Sequence, residues 1–187
     1  MKLMMQQLKR ELLSQNEMKI EIINTDITKL DVDAIVNAAN NSLTGGGGVD
    51  GAIHRAAGPQ LRTYCITLRG CETGHAKITP GFNLRAKYVI HAVGPVWNNG
   101  TKKEETLLAM CYHNSLQLAV ENGIRTIAFP CISTGAYRFP FDKAANIALE
   151  TIGNFLNKHT EIDKIFLVVF GEKDMKNYQR VFNSFYK

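Results

Sequence analysis

An acid and a histidine one helical turn apart, Asp50 and His54, follow directly on four consecutive glycines, Gly45 to Gly48. A carboxyl group can orient and deprotonate a water molecule, and an imidazole can assist it. The same two residues also have structural uses. An acid in the first turn of a helix complements the helix dipole, and a histidine beside an apolar helix face can simply pack. The residues alone leave both readings open. The glycines narrow the choice of ligand: without Cβ atoms, successive backbone N–H groups can converge on an anion at the N-terminus of the helix that follows. A diphosphate or phosphate fits this chemistry, and a merely flexible loop is the alternative.

A second segment, Ser133-Thr134-Gly135-Ala136-Tyr137, carries hydroxyls, a glycine and an aromatic at another strand-to-helix turn. Its N–H groups can also meet phosphate oxygens, and Tyr137 can fence a sugar. By itself it is equally an ordinary turn. Asp26, in Asn24-Thr25-Asp26-Ile27-Thr28, is a third placed acid, able to accept from an amine or to cap the next segment. Gly46 to Gly51 formally satisfies the dinucleotide pattern GxGxxG. The residues Asn40 to Thr44 separate it from the preceding strand, the helix stops at Gly58-Pro59, and no acid ends a second strand at the required distance. A phosphate loop of the Gly-Lys-Ser/Thr type is absent as well.

The elements that must hold these loops alternate along the chain. Strands are expected at Lys19–Asn24, Ala34–Ala38, Ala76–Thr79, Tyr88–Val93, Thr126–Pro130 and Lys164–Phe170. Several are near-continuous apolar runs, as strands covered on both faces are. Helical faces recur at Leu108–Leu118, Ala145–Leu156 and Met175–Phe185. On the helix after the glycines, Val49, Ile53, Ala56 and Ala57 form the expected buried stripe, with Asp50 and His54 flanking it. Such alternation predicts a mostly parallel sheet between helix layers, with ligands beyond the strands' carboxyl ends.

The 187 residues, 45% of them hydrophobic and 21% charged, suit one globular domain. The net charge of +5 favours anionic ligands mildly, but the basic residues form no stripe, so nucleic acid is not indicated. Cys65, Cys71, Cys111 and Cys131 have no metal-ligand spacing and read as free thiols of a reducing compartment. His75, His91, His113 and His159 are read as structural or exposed. No signal peptide or membrane span is seen, and a cytoplasmic protein is expected. Residues 1–17, with a sparse stripe of Met5, Leu8 and Leu12, are expected to be an N-terminal extension, a short helix or a frayed tail, before a domain at 18–187.

Taken together, Asp26-Ile27-Thr28, the run from Asp33 to Asn40, the block from Gly45 to Gly58, and the segments Thr73–Thr79, Ala92–Trp97 and Ile132–Tyr137 resemble the macrodomain family. The fit is to its MacroD-type branch of ADP-ribosyl hydrolases and O-acetyl-ADP-ribose deacetylases, over about residues 18 to 186. The resemblance implies a three-layer α/β/α sandwich with a mixed, largely parallel sheet and ADP-ribose in the crevice. It implies that Asp26 binds the adenine amino group with Ile27 beside it, and that Phe170 stacks on adenine. Asn40 would bond the distal ribose. Gly46, Gly47, Gly48 and Val49 would form the first diphosphate loop, and Ser133, Thr134, Gly135, Ala136 and Tyr137 the second. Asp50 would be the principal catalytic residue, with Asn40 and a supporting His54. The implied reaction removes mono-ADP-ribose from Asp or Glu side chains of proteins and deacetylates O-acetyl-ADP-ribose, by water attack without metal or cofactor. A reader module that binds ADP-ribose without turnover is the alternative. Thr25, Arg138 and Gly171 depart from the family pattern; none touches Asn40, Asp50 or His54.

Overall fold

The computed structural model describes residue 11 and residues 14–187. The stripe of Met5, Leu8 and Leu12 lies outside them. Residues 14–19 are helical, and buried Asn16 ties them to the body by donating to Gly153 O and Asn157 Oδ1.

Six strands form one sheet: β1 (Ile20–Asn24), β2 (Ala34–Ala39), β3 (Ala76–Pro80), β4 (Tyr88–Val93), β5 (Thr126–Pro130) and β6 (Lys164–Val169). The order is β1-β6-β5-β2-β4-β3. Every neighbouring pair is parallel except β3 with β4. The helices are α1 (Gly48–Ala57), α2 (Pro59–Thr67), α3 (Glu104–Glu121), α4 (Phe141–Leu156) and α5 (Glu172–Phe185), with a 3-10 turn at Ile27–Lys29. Two apolar clusters flank the sheet. One joins Leu108, Leu116, Ala148, Ile152 and Phe182 of α3, α4 and α5 to Val36, Ile90 and Phe129. The other joins Ile53, Leu61 and Cys65 of α1 and α2 to Ile35, Val89 and Val93. Val36 and Ile35 thus face opposite layers, the period-2 alternation of a strand buried on both sides. The result is the expected three-layer α/β/α sandwich with a mixed, largely parallel sheet. Among the described residues no helix is long and apolar enough to cross a membrane.

Two expectations need correction. Helix α2 follows α1 at once, its Pro59 at the first helical position, where a missing N–H costs nothing. Its sequence PQLRTYCIT has only Leu61 and Cys65 buried, too thin a stripe to read as a helix. Helix α1 is also rotated from the expected face: Asp50, Gly51, Ile53 and Ala57 are buried, whereas Ala56 is exposed. The carboxyl group is turned into the protein.

Asp33 pins the centre of the sheet at one end. Its Oδ2 accepts from the N–H groups of Arg125 and Thr126, and its Oδ1 from Lys87 Nζ at 3.0 Å. Burial alone would raise the Asp33 carboxyl, but these donors outweigh it and hold the group at about 2. Beyond that clamp, β2 and β5 pair only through Ala34 with Ile127 and Ile35 with Ala128. Their carboxyl ends are unpaired with each other, and the chain's large cavity opens there.

Candidate functional site

A cavity of about 750 Å³ lies at these strand ends, within the range of sites for a drug-sized or nucleotide-sized ligand. One wall is Ala38–Asn40 and Gly46–Asp50, after β2; the other is Pro130–Tyr137, after β5. Thr25, Asp26 and Ile27 close one end with Val168, Val169, Phe170 and Asp174. The cavity therefore gathers every site residue expected from sequence except His54.

The first wall is an anion receptor by construction. Helix α1 starts at Gly48 behind an N-cap, Gly47, that makes no side-chain cap bond. Its leading N–H groups therefore lack side-chain partners, and the positive end of the dipole faces the cavity. The glycine loop lies hard against this helix: a Cβ at Gly51 would stand 2.5 Å from Gly46 O. Asn40 shapes the loop's entry. Its Oδ1 accepts from Ser42 N, Ser42 Oγ and Leu43 N, and its Nδ2 donates to Gly45 O at 3.0 Å. One Asn40 N–H remains for a ligand.

The second wall is a tight turn with Ser133 and Arg138 both at positive φ, 66° and 56°. Phe139 N donates to Ser133 O, and Arg138 N to Gly135 O. Ser133 Oγ is buried without a hydrogen-bond partner among the described residues, and a Cβ on Gly94 would collide with it. A buried unpaired hydroxyl at a cavity wall is free to bond a ligand or water. Tyr137 is fixed from behind, since Trp97 N donates to Tyr137 O at 2.9 Å and the Trp97 ring packs 4.6 Å from Phe139. The loop carrying Trp97 is held in turn by Glu104, 1% exposed, which accepts from Asn98 N and Lys102 N.

At the far end Asp26 takes the capping role that the sequence left open to it. Its Oδ1 accepts from Thr28 N and Thr28 Oγ1, capping the 3-10 turn, while the residue still lines the cavity. The Thr28 hydroxyl bond is the main cause holding its carboxyl below the usual range. Phe170, 84% exposed, is a large apolar face with nothing on it.

Asp50, at the end of the first wall, is only 5% exposed. Its Oδ1 accepts from Asn37 Nδ2 at 2.7 Å. Its Oδ2 lies toward Gly46, where a Cβ on that glycine would come within 3.0 Å of it. His54 Nε2 is 3.4 Å from Asp50 Oδ1, but neither ring nitrogen makes a hydrogen bond with any described residue. Burial lowers the His54 pKa; Asp50 opposes the shift and Arg62 reinforces it. His54 is thus neutral at pH 7. Its ring packs behind Gly45, 3.4 Å from where a Cβ would stand, so it backs the loop rather than facing the cavity.

Two polar residues of this neighbourhood were not singled out from sequence for the site, Asn37 and His91. Each sits in an otherwise apolar strand, and that interruption was the available signal. His54, Cys65 and His91 also bring potential metal-ligand atoms within 4.8 Å of one another. A metal there would need a thiolate and a free imidazole lone pair. Burial, with Asp50 adding to it, pushes the Cys65 thiol up to about 11, and His91 Nδ1 already faces the Asn37 amide. Of the two imidazoles, only His54 keeps both ring nitrogens without a hydrogen-bond partner among the described residues.

Fold and site together define an α/β domain with a strand-end cavity walled by two backbone loops suited to an anionic ligand. Comparison with known proteins gives the family. The model described as Macro domain matches residues 36–148. Human ADP-ribose glycohydrolase MACROD2 is 58% identical over 172 residues, covering 90% of this chain. The chain spans only 40% of that protein's length. A macro domain-containing protein of Methanosarcina mazei is 55% identical over 166 residues, 89% of each chain. A solved variant of the Oceanobacillus iheyensis macrodomain with ADPR has a TM-score of 0.85 at 44% identity, covering 88% of this chain and 92% of that one. The chain belongs to the Macro domain family.

Proposed function

We propose that this domain binds ADP-ribose in the strand-end cavity and hydrolyses it from the Asp or Glu side chains of mono-ADP-ribosylated proteins, with O-acetyl-ADP-ribose as a second ester substrate. The observation that carries the reading is the placement of Asp50: a buried carboxyl group with one oxygen held by Asn37 and the other toward the cavity, between two anion-receptive loops. Relatives named as ADP-ribose glycohydrolases, and a related structure with ADPR, support it.

In this pose adenine lies at the Asp26 and Phe170 end. The diphosphate is gripped by the N–H groups of Gly46–Val49 on one side and of Ser133–Tyr137 on the other. The distal ribose reaches the free N–H of Asn40 and the edge of Tyr137. A water held by Asp50 Oδ2 gives up its proton as its oxygen attacks the anomeric carbon or the ester carbonyl. That proton passes to Asp50. Attack at the anomeric carbon breaks its bond to the ester oxygen and expels the side-chain carboxylate. Attack at the carbonyl breaks the acyl C–O bond, and the ribose oxygen takes the proton back from Asp50. Either way the side-chain carboxyl and ADP-ribose leave as separate products. A water bound in place, beside a preorganised acceptor, supplies proximity as well as base catalysis.

Incubation with a Glu-linked mono-ADP-ribosylated protein, following free ADP-ribose, tests the reading. Release at enzymatic rates is expected. Tight ADP-ribose binding without release would instead make the domain a reader.

A further inference from the structure

Behind the first wall runs a buried polar chain across three neighbouring strands: Thr79 on β3, His91 on β4 and Asn37 on β2. Asn37 and His91 are cross-strand partners, and both are fully buried. Thr79 Oγ1 lies 3.1 Å from His91 Nε2, His91 Nδ1 lies 3.1 Å from Asn37 Nδ2, and that nitrogen lies 2.7 Å from Asp50 Oδ1.

The hydrogens follow from the last contact. An acceptor oxygen at 2.7 Å requires the amide nitrogen, not the amide oxygen, to face Asp50. The second N–H of that nitrogen then points at His91 Nδ1, which must accept. A neutral imidazole accepting at Nδ1 carries its hydrogen on Nε2, where Thr79 Oγ1 waits. The Thr79 hydroxyl directs its own hydrogen to Pro80 O or Val89 O, leaving a lone pair for the ring. Turning the amide over would set two acceptor oxygens against each other and strand both N–H groups. Asn37 Oδ1 has no partner among the described residues, so the donors alone decide the orientation.

We infer that His91 is a positioning residue for the reaction: as an Nε2–H tautomer anchored on Thr79, it orients the Asn37 amide so that Asp50 Oδ1 is held and Oδ2 is left to the cavity. The inference rests on the function proposed above, because it assigns His91 to the work of Asp50. A carboxylate in its place would set a second negative charge near Asp50, and an ammonium has no lone pair to accept from Asn37. The groups facing the ring are Asn37, Cys65, Thr79 and, at 6.2 Å between ring centroids, His54. Burial, and secondarily His54, push its pKa down to about 3, so the tautomer persists through mild acid.

Asparagine and leucine have nearly the same shape and separate the hydrogen bond from the packing. In His91→Asn an amide oxygen can stand near the Nδ1 position; in His91→Leu nothing accepts there. His91→Asn is expected to keep kcat within about threefold of wild type. His91→Leu is expected to lose about tenfold in kcat, with KM and ADP-ribose affinity changed less than about twofold in both. Equal kcat losses in the two variants, or a loss carried by KM, would overturn the inference. Nitrogen NMR of the wild-type ring covers a variant that does not fold, and a wild type that binds ADP-ribose without releasing it. A neutral Nε2–H tautomer between pH 5 and 8 is expected; an Nδ1–H or protonated ring there would overturn the assignment whatever the turnover.

Discussion

The proposed reaction turns on the oxygen that Asp50 has left over. With Oδ1 committed to Asn37, that reaction would depend on a single acceptor at a fixed place. Asp50→Ala is therefore expected to lower ADP-ribose release by roughly 100-fold or more, while calorimetry shows ADP-ribose affinity within about threefold of wild type. The opposite split is expected at the other end of the cavity. Phe170→Ala removes an exposed ring and should weaken ADP-ribose binding by about tenfold through lost stacking, with Tm little changed because most of the ring is already in solvent. A fall in kcat with intact affinity would contradict the adenine-side placement. Sequence was informative for residues in loops, where a polar side chain has few reasons to be where it is. It was less so for Asn37 and His91, since AIVNA and YVIHAV read as core strands. Only the cross-strand register brings their polar positions together, and register is not written in either strand alone.

The two loops are matched because their strands are. Sequence alternation located all six strands and the two strand ends, since buried parallel strands are near-continuous apolar runs. Helix faces were legible where the stripe was dense, as in α4, and not in α2 with two buried residues. The turn of α1 about its axis was also out of reach, because the driving contact is backbone: Gly51 sits where Gly46 O approaches it. Gly51→Ala inserts a methyl into that approach. A loss of about 1–3 kcal/mol is expected from chemical denaturation, together with weaker ADP-ribose binding as the loop Gly46–Val49 is pushed outward. Unchanged stability would show that the helix and loop can separate without cost.

For the whole molecule, the buried imidazoles tie stability to pH. In the unfolded chain His91 titrates near 6.5; folded, it does so at about 3. Below pH 6.5 the unfolded state takes up a proton that the native state refuses, so stability falls as pH drops through 6.5 and continues falling toward 3. From pH 7 to pH 5 this costs about 2 kcal/mol, and His54, also lowered, acts in the same direction. Urea unfolding at the two pH values should recover that difference in wild type and a smaller one in His91→Asn. Equal differences in both proteins would place the pH sensitivity elsewhere.

Asp33 fastens β2 to β5 at one end, and their pairing stops after Ile35 and Ala128. Past that point each strand turns toward the cavity a backbone edge whose amides the other does not use. The middle of a sheet is ordinarily where amide protons exchange most slowly. Here the central seam is unfinished past Ile35 and Ala128, and the proposed ligand would occupy the gap. ADP-ribose is therefore expected to slow deuterium uptake at residues 36–39 and 129–132 more than at the edge strands β1 and β3. A ligand entering there would stiffen the molecule from its centre outward.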